Sequence, residues 1–408
     1  MQINIPGDVL YIIDTLNKNG FEAYIVGGCV RDRIMGKHPM DWDIVTSALP
    51  LQVKSLFLHT FDTGIQHGTV TVVINGANFE VTTYRIDGPY TDGRRPESVS
   101  FDANLSDDLK RRDFTMNAMA YHPICGLVDP FDGISDIEKG VIMGVGDPDR
   151  RFQEDALRML RAIRFSGQLG FNIEANTFEA ISENAVLLRK ISIERVRDEF
   201  TKLLCSDFPE NMRMLFSTGL IYNWPIPLKL TLCNVEKAIP RLKDFSFEKN
   251  PQNCYAILLI SWPLSGEDSV ENFLRGLRFD LKTIRRTSKI VKWVNTPIYT
   301  DDYSLRVFLS GCGREDFDDV MMIKGIIYPD DLDYHKIAVY KSQSILSKGD
   351  CLDLRELAIS GDDLVKLGIS GEEIGVTLQK LLDAVLREPE LNTKEALDML
   401  LINLRHIS

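Results

Sequence analysis

The chain has 408 residues, 44% of them hydrophobic, which is enough apolar content for two to four domains with cores of their own. No apolar run approaches the roughly 18 residues that a membrane span needs, which excludes a membrane protein of that kind. The net charge of −12 argues against a nucleic-acid surface spread over the whole molecule, so any RNA role must rest on local basic stripes. Residues 1–150 carry 13 Lys+Arg against 21 Asp+Glu, residues 151–204 carry 9 against 8, and the remainder 25 against 30, so the acidity sits mostly at the front. The opening MQINIPGDVLYII lacks the basic region and small-residue cleavage site of a secretory signal. Seven cysteines without C-x-x-C spacing point to reduced thiols in the cytoplasm and not to a disulfide frame or a zinc site.

In chain order, Val9, Leu10, Ile12, Ile13 and Leu16 fall at helical spacing and are closed by Asn19-Gly20. Tyr24 to Val26 reads as a short strand broken by Gly27-Gly28, after which a helix can start. Paired glycines let backbone approach a triphosphate with no Cβ in the way, and Arg31 and Arg33 lie close by to meet negative charge. After the Pro39 turn a second strand is expected from Asp41-Trp42-Asp43 into Ile44-Val45. Strand alternation would put the Asp41 and Asp43 carboxylates on one side, a pair of hard oxygen ligands suited to Mg²⁺. Residues 68–74 and 79–85 are rich in β-branched side chains and flank Asn75-Gly76, which predicts a hairpin. Glu80 on its second strand is either a third carboxylate of the metal set or an ordinary outward-facing glutamate. Residues 87–101, DGPYTDGRRPESVSF, read as a mobile loop and not as an element.

Residues 107–121, DDLKRRDFTMNAMAY, place Phe114, Ala118 and Tyr121 at helix-like spacing. Arg112, Asp113 and Asn117 then lie within one to one and a half turns, able to surround one ligand. In EDALRMLRAIRF, residues 154–165, Ala156, Met159, Leu160 and Ile163 gather on one helix face, and Asp155, Arg158, Arg161 and Arg164 on the other. Like charges three apart disfavour an isolated helix, so three arginines in series are not there for helix stability. A carboxylate accepting from an exocyclic amino group beside arginines donating to ring nitrogen and carbonyl acceptors can read a base edge. ISIERVRDEFTKLL, residues 191–204, reads as a supporting helix capped by Ser192. Beyond residue 205 the pattern is helical. Arg275, Arg278, Lys282, Arg285, Arg286, Lys289 and Lys292 recur at three- and four-residue steps over two helices divided near Gly276 and Asp280. They form either a solvated basic face or a track for phosphates.

GGCVRDRIMGKHPMDWDIVT resembles motif A of the class II nucleotidyltransferases, the tRNA CCA-adding enzymes and bacterial poly(A) polymerases. RRDFTMNAMAY resembles their motif B, EDALRMLRAIRF their motif D, and ISIERVRDEFTKLL their motif E. The resemblance implies an α+β nucleotidyltransferase head, a small mixed sheet with helices, followed by an all-α neck, body and tail. The boundaries implied are 1–147 for the head, 148–205 for the neck, 206–310 for the body and 311–408 for the tail. It implies nucleotidyl transfer to the 3′ end of tRNA from CTP and ATP with two Mg²⁺ ions on Asp41 and Asp43. Gly27, Gly28, Arg31, Arg112, Asp113 and Asn117 would serve the incoming nucleotide. Asp155 and Arg158 would pair with its base, and Arg161 and Arg164 would contact the triphosphate or orient it. CCA addition is the first expectation. An A-adding enzyme completing CC-ended tRNA comes second, and a poly(A) polymerase third. The oligomeric state is not readable.

Overall fold

The structure is a computed structural model that describes residues 2–88, 98–226, 229–245, 249–262 and 269–406. The chain forms two compact units, 1–236 and 237–408. The first opens with helix α1 (Gly7–Lys18), closed by Asn19 as expected. Strand β1 (Ala23–Val26) leads through Gly27 into α2 (Gly28–Ile34), and β2 (Asp43–Thr46) follows. Next come α3 (Pro50–Leu56), β3 (Thr60–Gly64), β4 (Thr69–Ile74) and β5 (Ala77–Thr83). The predicted hairpin is present. Asn75 at φ 51° and Gly76 at φ 82° give both turn residues the positive φ that a two-residue hairpin with native twist requires.

The expected loop 87–101 is not irregular at its roots. β6 (Ile86–Asp87) pairs antiparallel with β7 (Val99–Ser100), while residues 89–97 of that expectation lie outside the described residues. Further on are α4 (Leu105–Lys110), β8 (Ala120–His122) and β9 (Gly126–Val128). The seven-stranded sheet runs β3-β4-β5-β2-β1-β8-β9, with β2 and β5 parallel and the other pairs antiparallel, so it is mixed as expected. Alternation on β1 and β2 covers both faces. Ile25 and Ile44 join Val9, Ile12, Ile13 and Leu16 of α1, whereas Val26 and Val45 pack with Tyr84, Leu109 and Ala120.

Two local expectations change. The second strand begins at Asp43, leaving Asp41 and Trp42 in the segment before it. Residues 107–121 are not one helix: α4 stops at Lys110, a single 3₁₀ turn spans Thr115–Asn117, and Tyr121 lies in β8 opposite Ile25. Backbone hydrogen bonding explains the break, because Thr115 N–H donates to the Met143 carbonyl at 3.0 Å and not back along a helix. Phe114, Ala118 and Tyr121 are buried all the same.

After α5 (Gly133–Lys139) come α6 (Pro148–Glu154) and α7 (Leu157–Leu169), so the motif D helix starts at Leu157 and not at Glu154, which closes α6. Asp155 stands between them, its Oδ1 accepting from Leu157 N–H at 3.1 Å. A short carboxylate that captures a backbone donor two residues on starts a new helix in preference to continuing the old one. Past α8 (Ala175–Asn184) comes α9 (Ile193–Leu204), with Ser192 at the cap position but without a side-chain capping bond.

In the second unit, α10 (Val270–Gly276) and α11 (Leu281–Asn295) are the two helices expected, and the Asp280 carboxylate caps α11 by accepting from Thr283 N–H at 2.9 Å. They are followed by α12 (Asp302–Cys312) and α13 (Arg314–Ile327). Among the described residues no helix is long and apolar enough to cross a membrane, and all seven cysteines are free thiols.

Candidate active site

The site is built around the turn that ends β1. Gly27 has φ 79° and ψ −129°, and a Cβ there would come within 3.0 Å of Arg112 Nη1. That combination admits glycine and brings a guanidinium directly onto the backbone. At the start of β2, Asp43 is paired across the parallel register with Glu80 of β5, so the two side chains share a face. The Asp43 carboxyl keeps an edge to solvent while protein crowds it. Burial pushes its pKa up, Arg112 pulls against that, and Asp41 adds to the rise. Glu80 is raised as well, by burial and then by Asp43 and Asp41. Cys29 lies close enough to Asp43 that burial and this charge push its thiol up to about 11, which keeps it protonated at neutral pH.

Among the described residues no group of three His, Cys, Asp or Glu side chains has the closeness that a metal held by protein alone would need. Asp43 and Glu80, both raised by burial and by neighbouring acid charge, with Arg112 drawing on Asp43, are nevertheless a donor set that a hard cation would relieve. Mg²⁺ commonly takes one or two carboxylates and completes its shell with water and phosphate oxygens. The residues present fit such an ion.

Arg112 is aimed by Asp108, which is fully buried and accepts from Arg112 Nη2 at 3.1 Å and from Arg111 Nη2 at 2.6 Å. Burial pushes the Asp108 pKa up, and the two arginines override it. A second chain of bonds runs beneath. The Asp113 carboxylate accepts from Arg161 Nη2 at 2.6 Å and Nε at 2.8 Å and from Asn117 Nδ2 at 3.3 Å. Asn117 Oδ1 accepts from Arg31 Nη1 at 2.7 Å. Asp113 and Asn117 thus bridge arginines, and Arg161, a third exposed, is the open end of the chain. Burial would raise the Asp113 pKa, but Arg161 holds it far below the ordinary carboxylate range. Its contribution to stability is complete above the unfolded pKa of about 4 and is lost as pH falls through the lower folded value. Asp113→Ala strands Arg161 and is expected to cost about 2 kcal/mol, solvent at Arg161 absorbing part of the loss, as urea unfolding at pH 7 would record.

At the break before α7, the Asp155 carboxylate accepts from Arg195 Nη2 at 2.7 Å and Nη1 at 3.3 Å. Arg158 donates through Nη1 to Glu154 Oε2 at 2.8 Å and the Arg151 carbonyl at 3.1 Å, and through Nη2 to the Arg111 carbonyl at 2.9 Å. Its reach from the neck to the turn after α4 ties the two segments together. The expected charged stripe does not face solvent throughout. Arg164 is 7% exposed and donates to Glu199 Oε2 and Gln168 Oε1, each at 2.8 Å, because α9 packs along α7 and supplies the counter-charge. Asp108, Glu154, Arg195 and Glu199 were not singled out from sequence. The only available signal was that a series of buried arginines must find acids somewhere.

The basic series of the second unit divides in two. Arg275, Arg278, Lys282, Arg285 and Lys292 are exposed, with Arg275 4.0 Å from Glu271. Arg286 donates to Asp316 and Asp319, each at 2.8 Å, and Lys289 lies 2.6 Å from Asp316, so these two brace α11 against α13.

An acid-bearing strand beside a glycine turn, flanked by arginines set by buried acids, defines a nucleotidyl-transferring head domain. A family profile described as "Poly A polymerase head domain" matches residues 23–143, and one described as "Probable RNA and SrmB- binding site of polymerase A" matches residues 170–225. The CCA-adding enzyme of Lactobacillus johnsonii is 35% identical over 403 residues, 97% of each chain. That of a Geobacillus strain is 40% identical over 364 residues, covering 88% of this chain and 86% of its own. Among solved structures, the Bacillus stearothermophilus CCA-adding enzyme in complex with CTP superposes with a TM-score of 0.81 at 32% identity, covering 97% of each chain. The chain belongs to the family of class II tRNA nucleotidyltransferases and bacterial poly(A) polymerases.

Proposed function

We infer that this protein adds CCA to the 3′ end of tRNA from CTP and ATP, without a nucleic-acid template and in the cytoplasm. The geometric observation that carries the transfer chemistry is the pairing of Asp43 with Glu80 across the β2–β5 register, two residues after Asp41, with the Arg112 guanidinium seated on the Gly27 turn. The choice of CCA as product follows the relatives' similarity along nearly the whole chain.

Asp41 and Asp43 would hold Mg²⁺, with Glu80, opposite Asp43 in the sheet, a candidate third carboxylate. When bound, the metal neutralises triphosphate charge and eases ionisation of the attacking 3′-hydroxyl. The 3′-hydroxyl gives its proton to solvent as its oxygen bonds to the α-phosphorus, and the bond from that phosphorus to the α–β bridging oxygen breaks, so that pyrophosphate leaves with the bridging oxygen. Gly27 and Gly28 give the phosphates access to backbone, while Arg31, Arg112 and Arg161 meet their charge. Most of the acceleration then comes from positioning and charge neutralisation. Asp155 and Arg158 read the base, with Arg195 holding the Asp155 carboxylate, and Arg164 orients α7 from within. Transfer is assigned to 1–147 and nucleotide selection to 148–205, with RNA held by 206–310 and 311–408.

Pyrophosphate release in the presence of tRNA, CTP, ATP and Mg²⁺ tests the enzyme reading. Absence of release, with tRNA still bound, would make the protein an RNA-binding module. The basic series makes a separate prediction. Arg285→Glu is expected to raise the KM for tRNA and to flatten its salt dependence by about one counterion. Arg286→Glu should instead lower the unfolding midpoint, because it turns a double ion pair with Asp316 and Asp319 into repulsion.

A further inference from the structure

We propose that Phe165 is a positioning residue for nucleotide binding: its ring seats the guanidinium groups of Arg31, Arg161 and Arg164 and fixes how the first two present their donors. The inference rests on the reading of Arg31 and Arg161 as triphosphate contacts. The guanidinium carbons of Arg31, Arg161 and Arg164 lie 5.1, 5.3 and 3.6 Å from the ring centroid, all within reach of a cation–π attraction. The ring is 5% exposed and meets Phe114 edge-on at 5.9 Å.

Two routes in the chain bring these cations to one ring. Arg161 is one helical turn before Phe165, at the four-residue spacing that stacks side chains on a face of α7, and Arg164 is its immediate neighbour. Arg31 arrives from α2, directly after the glycine turn. Each guanidinium also holds an acid: Arg31 is 2.7 Å from Asp32, Arg161 is 2.6 Å from Asp113, and Arg164 is 2.8 Å from Glu199. Those acids lie at the outer ends of the guanidinium groups and draw the three cations apart, each toward its own partner. An aromatic quadrupole offsets that pull at the centre, which a leucine of comparable bulk cannot do. The ring therefore keeps Arg161, which retains contact with solvent, and Arg31, which is fixed on its other side by Asn117, pre-set for an anion before one arrives.

The test pairs one variant that keeps the ring and changes its charge distribution with one that removes the ring. Phe165→pentafluorophenylalanine inverts the quadrupole, and Phe165→Leu removes it. Both are expected to raise the KM for CTP and for ATP by roughly 3- to 10-fold, with kcat and the CTP-to-ATP preference little changed. Unchanged KM values in the fluorinated protein would overturn the proposal, and so would a lower unfolding midpoint with unchanged KM, since the ring would then serve packing alone. Arg161→Met is measured alongside. If it raises KM while the fluorinated ring does not, only the role of Phe165 fails. If it leaves KM unaltered, the triphosphate reading fails with it.

Discussion

Asp43→Asn is expected to yield a protein that is slightly more stable than the parent and nearly devoid of transfer activity. The Asp43 carboxyl is pushed up by burial and by Asp41, with Arg112 offsetting only part. A carboxyl whose folded pKa is raised favours folding in its protonated form. That stabilisation is complete below the unfolded value of about 4 and is lost as pH rises through the raised folded value. At neutral pH the ionised side chain therefore opposes folding, and the neutral isostere relieves the strain among Asp41, Asp43 and Glu80. The same change removes a hard oxygen ligand and a negative charge from the metal set. A loss of roughly 10³-fold or more in kcat/KM, about 4 kcal/mol of transition-state stabilisation, should follow. Thermal unfolding and single-turnover extension of tRNA measure the two effects separately, and tRNA binding should be retained. A variant that loses both stability and tRNA binding would make Asp43 a structural acid.

The second large effect is expected at Asp155. Its carboxylate is fixed by Arg195 and by the backbone of Leu157, so it is a directional acceptor with its geometry set in advance. Asp155→Ala should cut the preference for CTP and ATP over GTP and UTP by about 10- to 100-fold, the span that one or two lost base-edge contacts allow. The KM for pyrophosphate in the reverse reaction should change little. Asp155→Asn preserves shape and reverses half of the hydrogen-bonding pattern, so it should alter which bases are accepted without a general loss. Equal impairment with all four nucleotides in both variants would remove Asp155 from base reading and leave it as the cap of α7 and the partner of Arg195.

Much of this arrangement is legible in the chain because it is local. The β1–glycine–α2 turn and the Asn75-Gly76 hairpin each depend on residues a few positions apart, where dihedral preference and strand period act directly, whereas the strand alternation expected to pair Asp41 with Asp43 is absent because β2 starts only at Asp43. The break at Asp155 is not marked by the apolar pattern, whose first member, Ala156, lies after it. Periodicity registers which side chains are buried and does not register an aspartate taking a backbone donor. The charges that aim the arginines are hidden for another reason. Glu199 lies 35 residues from Arg164, and Arg195 lies 40 from Asp155, so only the packing of α9 on α7 brings them together. Within α9 these two residues read as an ordinary surface pair four apart. The basic series after residue 275 shows the same limit, since Asp316 and Asp319 neutralise Arg286 and Lys289 from a later helix.

The most direct test of the central claim uses three tRNAs, one lacking the CCA end, one ending in C and one ending in CC, each incubated with Mg²⁺ and with CTP and ATP singly and together. The account predicts that all three are completed to CCA when both nucleotides are present, that CTP alone stops after two additions on the first tRNA, and that ATP alone extends only the CC-ended one. Extension of the CC-ended tRNA alone, whichever nucleotides are supplied, would contradict CCA addition and make this an A-adding enzyme. Long A tails would make it a poly(A) polymerase.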